Sequence, residues 1–486
     1  MTRMSASTIP RILSTPNLHI ASRFSFGVNE GLIADIGSSR SSTTWLERQF
    51  SWSTLSDSRG DAALTWFPHL KDSAGTAWAN QQARTHSAYD YGRDLCAYTL
   101  AMKVVSRRQV REVMADFWSN LLYIPMGEER SYPWRYSYDS MIRSRSLTSY
   151  RSLLRVAVVH PAMSGWLNNS SNTKNGINEN LGRELLELYT VGRPAGYDEE
   201  DVKNSARLLT GYRVKVFDGF ASSYDPELHY VGPVKILGFS HPNSSKDGRT
   251  AVNAYLDYLA RHPATATRLA RRLCVRFVSD TPSSSIVSAV AKAYRASDTD
   301  IKATLRALVG HPEFIAAKRK KVRTPIEDVI NAARVLGMRP TGCDEQKSFP
   351  LHLMWMSESV GQSQFGWPRP DGFPETSAIW ASPARVLRSW NIHYDLAANW
   401  WGSSDLHVPA KTSQLPTAWP QTLAQLVEHQ SRMLLGRSAP TDLKSAVASA
   451  VGRPQSHSFA SASAVSEWTW VLIRAAVLNL PEGMLR

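Results

Sequence analysis

The sequence predicts a mainly α-helical, multi-helix globular fold with a small β-hairpin insertion. Three observations carry that expectation. Apolar residues recur at three-to-four spacing along most of the chain, the pattern of helices that bury one face. Proline and glycine punctuate those segments, with His-Pro pairs at His160, His241, His262 and His311 and glycines past the last apolar position at Gly192 and Gly211. Only Tyr212 to Gly238 departs from the pattern, because Arg213-Val214-Lys215-Val216-Phe217 alternates and Val234-Lys235-Ile236-Leu237 lies between glycines.

A chain of 486 residues exceeds an average single domain. The expected division is an N-terminal tail over 1–18, a main helical domain over 19–338 with its β insertion near 212–240, and a C-terminal helical part over 349–486 packed back on it. Pro340 to Ser348 reads as the linker. Hydrophobic residues at 43%, charged residues at 20% and 16 Trp provide ample core and exclude a disordered chain. Lys and Arg outnumber Asp and Glu by 56 to 42, a net charge of +14 that favours an anionic partner, whether a small molecule or an acidic protein. Cys96, Cys274 and Cys343 form no Cys-x-x-Cys pair, which argues against a disulfide framework or a structural zinc site. The start of the chain lacks the apolar run of a secretory signal, and Trp468 to Leu480 is too short, and too interrupted by Arg474, to span a bilayer. A cytoplasmic location is the expectation. No metal site is assigned, and the cofactor is left open.

Taken in order, Thr44 to Phe50 reads as a short amphipathic helix, and Ala79 to Tyr123 as a long helical stretch with Val113, Met114, Phe117, Leu121 and Leu122 on one face. An aromatic loop over Tyr132 to Asp139 leads into helices carrying Arg143, Arg145, Arg151 and Arg155. Asn168 to Gly176 is a polar loop. Asn178 to Thr190 is predicted as one helix, and Asp198 to Asp201 opens the next, where acids favour the positive end of the dipole. Beyond the insertion, helices are expected over Val252 to Ala260, Pro263 to Val278, Ser283 to Ala296, Ile301 to Val309 and Pro325 to Leu336. The remainder holds the proline-rich loop Gly361 to Pro374 and helices near Ser382 to Trp401, Gln421 to Gly436 and Trp468 to Leu480.

The chemistry-bearing stretch is Asn178 to Gly192. At about 100° per residue, Glu179, Asn180, Arg183, Glu184 and Glu187 share one arc while Leu181, Leu185, Leu188 and Tyr189 share the other. One reading is a solvated face on which Arg183 pairs with Glu179 and Glu187. The functional reading sets Glu184 and Glu187 beside Asn180 in a cleft, where desolvation raises a carboxyl pKa for acid or base work, with Arg183 and Glu179 on the substrate. His229, in a glycine-containing loop, and Lys235 on the adjacent strand would stand at the mouth. Trp367 and Asp371, in Trp367-Pro368-Arg369-Pro370-Asp371-Gly372-Phe373-Pro374, either line the cleft or plug an interface. Arg268, Arg271, Arg272 and Arg276, like Lys318-Arg319-Lys320-Lys321, read as basic faces. No phosphate loop, nucleophile elbow or nucleic-acid module accompanies them, so nucleic acid ranks last among partners.

Several segments together resemble one bacterial family, the domain-of-unknown-function family 1800. They include His19 to Gly27, Phe117-Trp118-Ser119-Asn120, His160-Pro161-Ala162-Met163, Asn178 through Gly192, Ala206 to Gly211, Arg276-Phe277-Val278-Ser279-Asp280, Lys321 to Pro325 and Pro370 to Pro374, in the family's order. The resemblance implies no established activity. It does imply an uncharacterised sulfatase-like protein as a neighbour and possible partner. This chain departs from the family pattern at four polar positions: Leu121 and Tyr189 stand where similar proteins carry histidine, Tyr230 replaces an acid, and Val234 replaces a lysine. The resemblance leaves two readings, an enzyme using the carboxylate cluster on an anionic substrate, or a non-catalytic helical scaffold docking an acidic protein.

Overall fold

The structure is a computed structural model that describes residues 12–343 and 347–486. Helices dominate it, and the β content is confined to four two-stranded antiparallel ribbons among the described residues. The predicted insertion proves to be two successive hairpins rather than one. Tyr212–Val214 pairs with Ser222–Tyr224, and Val234–Ile236 pairs with Phe239–His241. The first eleven residues of the expected tail lie outside the described residues, and Thr15–Arg23 is helix, so a helix starts within the segment read as tail. The centre of the expected linker, 344–346, also lies outside them.

Helix boundaries follow the local chemistry. The stretch read as one long helix from Ala79 is divided at Ser87, whose hydroxyl accepts from the Asp90 N–H while the Asp90 carboxylate accepts from the Ser87 N–H, a reciprocal cap that starts Ala88–Val105 afresh. A second break at Ser106 precedes Gln109–Leu121. Asp198 and Asp201 make the same reciprocal cap at the head of Glu199–Leu208. Gly211, at φ +92°, follows that helix in a conformation that disfavours any side chain.

Pro325–Val335 is the axis of the molecule. Every one of its residues is buried, which is expected only of a helix surrounded on all sides. It packs against Ala88–Val105, Phe349–Ser359, Pro383–Ala398 and Leu423–Leu435, so the C-terminal part closes around the main one. One apolar core accordingly runs through both, from Phe24, Phe117 and Phe277 to Leu426, Ile473 and Leu478. No helix among the described residues is long and apolar enough to cross a membrane.

The acidic helix differs from expectation in its second half. Asn180–Glu184 is α-helical, but Leu185–Tyr189 is a π-turn. The wider turn changes the phase of the face: Leu186 is buried in the core and Leu188 is only partly covered, where regular helical periodicity placed Leu188 inside. Gly182 sets the helix against Glu199–Leu208, because a Cβ there would lie 2.8 Å from the Ala206 nitrogen and 3.1 Å from the Val202 oxygen. Gly182→Ala should therefore lower stability by about 1–3 kcal/mol, read as a fall in the thermal midpoint, through overpacking of this contact. An unchanged midpoint would show that the two helices are free to separate.

Candidate functional site

The polar arc of the acidic helix divides into three environments. At its outer end Arg183 forms ion pairs with Glu179 at 3.0 Å and with Glu199 of the following helix at 2.7 Å, and the hydrogen bonds to Glu199 hold its pKa up. These are solvent-facing pairs of modest worth. At the inner end Glu187 is paired with the exposed Arg193 at 3.0 Å and accepts from the Tyr197 hydroxyl at 3.3 Å. Between them Glu184 is half-buried and has no ion pair or hydrogen bond with another described residue. Burial raises its pKa, the Glu187 charge raises it further, and Arg183 only partly offsets the two.

Other elements close around Glu184. The Asp371 carboxylate is near enough to add to the negative field at Glu184. Asp371 accepts from Trp367 Nε1 at 2.7 Å, and the Arg369 guanidinium lies over the Trp367 ring at 5.0 Å, so the loop is braced from within. It is latched to Gln109–Leu121 by the Asn120 carboxamide, which donates to the Phe373 carbonyl at 2.8 Å and accepts from the Phe373 N–H at 2.7 Å. Gly372, at φ +72°, makes the latch possible, since a Cβ there would fall 2.0 Å from the Asn120 carbonyl oxygen.

The third wall is Pro263–Phe277. Arg268 donates from Nε and Nη2 to the Leu188 carbonyl at 3.3 and 3.2 Å, satisfying an oxygen of the π-turn. One helical turn on, Arg272 forms no ion pair or hydrogen bond with another described side chain or carbonyl. Burial lowers its pKa, opposed by the Glu375 and Asp371 charges. An unpaired carboxyl and an unpaired guanidinium thus both feel the Asp371 charge.

The remaining sequence-predicted residues lie elsewhere. Asn180 is exposed at the helix start. His229 is not at a mouth: it is fully buried, with Nδ1 at 3.1 Å from the Thr210 carbonyl and Nε2 at 3.1 Å from Asn243 Oδ1, and it clamps the two turns together. Lys235 is exposed between buried Val234 and Ile236, the strand alternation directing it away from the core. Among the described residues no group of three or more His, Cys, Asp or Glu converges as a metal site would. The arginines read as one basic face are not one: Arg271 is exposed, Arg268 and Arg272 are half-buried, and Arg276 is 3% exposed.

Arg276 is the residue that sequence reasoning missed. Its guanidinium pairs with Asp116 at 3.0 Å, Glu327 at 2.8 Å and Glu375 at 3.1 Å, and Lys103 reaches Asp116 at 2.5 Å while Arg486 reaches Glu327 at 2.5 Å. Asp116, Arg276, Glu327 and Glu375 line a cavity of about 490 Å³, including its opening to solvent, together with Asn120 and Gln364. Burial alone would raise the Glu327 pKa; Arg276 and Arg486 overcome it and hold the carboxyl at about 2. A signal was present in the sequence, since Arg276 stands three residues after Leu273 and seven after Leu269, on the apolar side of its helix.

The family model described as a protein of unknown function, DUF1800, matches residues 19–485, and the chain belongs to that family. No curated protein matches the chain. No solved structure matches it either.

Because the Glu327 pKa is depressed in the folded state, its ionised pairing stabilises the protein above the ordinary carboxyl pKa of 4.5, and that contribution is lost as pH falls from 4.5 toward 2. It amounts to roughly 2–3 kcal/mol. Glu327→Gln should lower stability at neutral pH and flatten the loss on acidification, as followed by denaturant unfolding at several pH values. Parallel acid profiles for both proteins would contradict the pairing.

Proposed function

We propose that the protein is an enzyme that binds an anionic substrate where the acidic helix, Pro263–Phe277 and the Trp367–Pro374 loop meet, with Glu184 as the proton-transferring carboxyl. The observation that carries this reading is the pair of half-buried opposite charges, Glu184 and Arg272, each without a hydrogen bond or ion pair to another described side chain and each within the field of Asp371. Charged groups taken partly out of water without partners are unfavourable unless something else completes them, and an anionic substrate that is also a proton acceptor or donor completes both. Arg272 presents a planar fork suited to a carboxylate or phosphate oxygen pair. Glu187, fixed by Arg193 and Tyr197, adds its charge to burial in raising the Glu184 pKa, which favours the protonated carboxyl.

Within this reading the earlier assignments are redistributed. Arg183 and Glu179 form the outer rim, and Trp367 and Asp371 form the loop wall. Asn180, His229 and Lys235 receive no chemical role. The second reading, a non-catalytic scaffold that docks an acidic protein such as a sulfatase-like neighbour, draws on the +14 charge and the exposed Arg271. It gives no reason for an unpaired carboxyl beside an unpaired guanidinium.

The test uses the native host with this gene deleted and restored as wild type, Glu184→Gln, or Arg272→Met, at matched protein levels. An anionic metabolite should accumulate in the deletion and in both variants and return to its ordinary level with the wild type. Glu187→Gln should move the pH dependence of turnover toward acid, since it removes a charge that raises the Glu184 pKa. Wild-type metabolite pools in the Glu184→Gln strain would overturn the proposal.

A further inference from the structure

We propose that a second cavity is a binding site for a small organic anion with an apolar body. It lies between Thr15–Arg23, the segment from Lys318 to Arg323, the end of Leu423–Leu435 and the last residues of the chain, and encloses about 610 Å³ including its open mouth. It shares no lining residue with the Arg276 cavity and none with the Glu184 junction. The inference is therefore independent of the proposed function.

The lining is amphipathic. Leu18, Val28, Val335, Leu434 and Leu435 supply an apolar wall. Against it stand Lys318, Arg319, Arg323, Arg437 and Arg486, with Glu482 as the acidic side chain among them. A surface patch of this kind would be ordinary, but this one is concave and partly desolvated.

Arg323 carries most of the argument. It is 5% exposed, and its Nε donates to the Gly483 carbonyl at 3.2 Å, while neither terminal nitrogen meets an acceptor among the described residues. Arg437 gives Nη2 to Glu482 at 3.1 Å and leaves Nη1 buried without a partner. Lys318 and Arg319 make no ion pair with any described residue. Burial and the nearby Arg437 charge both push the Arg319 pKa down, and the Glu482 carboxylate, already paired with Arg437, offsets them only in part. Desolvated guanidinium groups such as Arg323 and Arg437 Nη1 are unfavourable unless an anion satisfies them. Arginine forks suit carboxylate and phosphate heads alike, and the leucine and valine wall then covers an aliphatic or aromatic body.

Calorimetric titration of the full chain with octanoate, octyl phosphate, inorganic phosphate and octanol tests this. Octanoate or octyl phosphate should saturate a single site, and the stronger of the two identifies the head group. Inorganic phosphate should bind about tenfold more weakly or worse, and octanol should not bind, because neither offers both halves of the ligand. The double substitution Lys318→Glu with Arg319→Glu, at two exposed side chains without partners, should weaken the amphiphile by about tenfold or more at an unchanged thermal midpoint. Glu184→Gln should leave this affinity as it is. The proposal is overturned if neither amphiphile saturates, if the double substitution binds as the wild type does, or if inorganic phosphate binds as tightly as octyl phosphate.

Discussion

One buried guanidinium holds the architecture in register. Arg276 meets Asp116 from Gln109–Leu121, Glu327 from the first turn of Pro325–Val335, and Glu375 from the end of the proline-rich loop, so three distant parts of the chain must be in place together. Lys103 and Arg486 extend the line at either end and bring three cations to three acids. A buried charge stripped of its partner destabilises by about 3–5 kcal/mol. Such a network therefore contributes less through its net energy than through the penalty it sets on any other arrangement, and an all-helical core with so many similar apolar faces needs that discrimination.

The same helix links this hub to the candidate site. Arg268, Arg272 and Arg276 are spaced at four residues and fall on one side of Pro263–Phe277. Their environments differ along the turns: Arg276 pairs through its terminal nitrogens with three carboxylates, Arg268 is spent on a backbone carbonyl, and Arg272 between them is unmatched. Because Glu375 serves Arg276 and also lies near Arg272, the loop that supplies Asp371 is anchored by the hub it borders. Glu184 and Arg272 are thus carried on elements whose positions are fixed elsewhere, which is what a preorganised site needs.

The fold class was legible because helical periodicity is a local property, and so were the caps at Asp198 and the alternation at Val234 to Ile236. What escaped was long-range. The π-turn at Leu185–Tyr189 moved Leu186 inward and Leu188 outward, a change of phase that no α-helical wheel contains. The ion partners of Arg276 lie at Asp116, Glu327 and Glu375, and separation in sequence hides such pairing unless a charge on an apolar face is noticed. His229 misled for the opposite reason: a histidine beside glycine in a loop suggests access, whereas Gly248 lets the backbone close over it, a Cβ there meeting Nε2 at 2.0 Å. Spacing put Glu184 and Glu187 on one face, but their difference, one free and one paired, depends on Arg193 and Tyr197 folding back over the helix end.

The four departures from the family pattern gain a physical meaning from burial. Leu121, Tyr189 and Val234 are all fully inside, at 2%, 0% and 2% exposure, and Tyr230 is partly covered beneath the Arg207 guanidinium. Tyr189 fills its place to the point that its carbonyl accepts from the buried Tyr150 hydroxyl while its own hydroxyl reaches Met163 Sδ at 3.7 Å. An imidazole or ammonium group at these positions requires a polar partner or a water-filled space. This chain has apolar packing there instead, while Glu184, Glu187, Arg268 and Arg272 lie on or beside the π-turn. A π-turn is strained relative to a continued α-helix and survives when surrounding contacts enforce it. Here Arg268 does so by binding the Leu188 carbonyl, and Glu184, in the turn just before, is half-buried without a described partner, its pKa raised by burial and by the Glu187 charge.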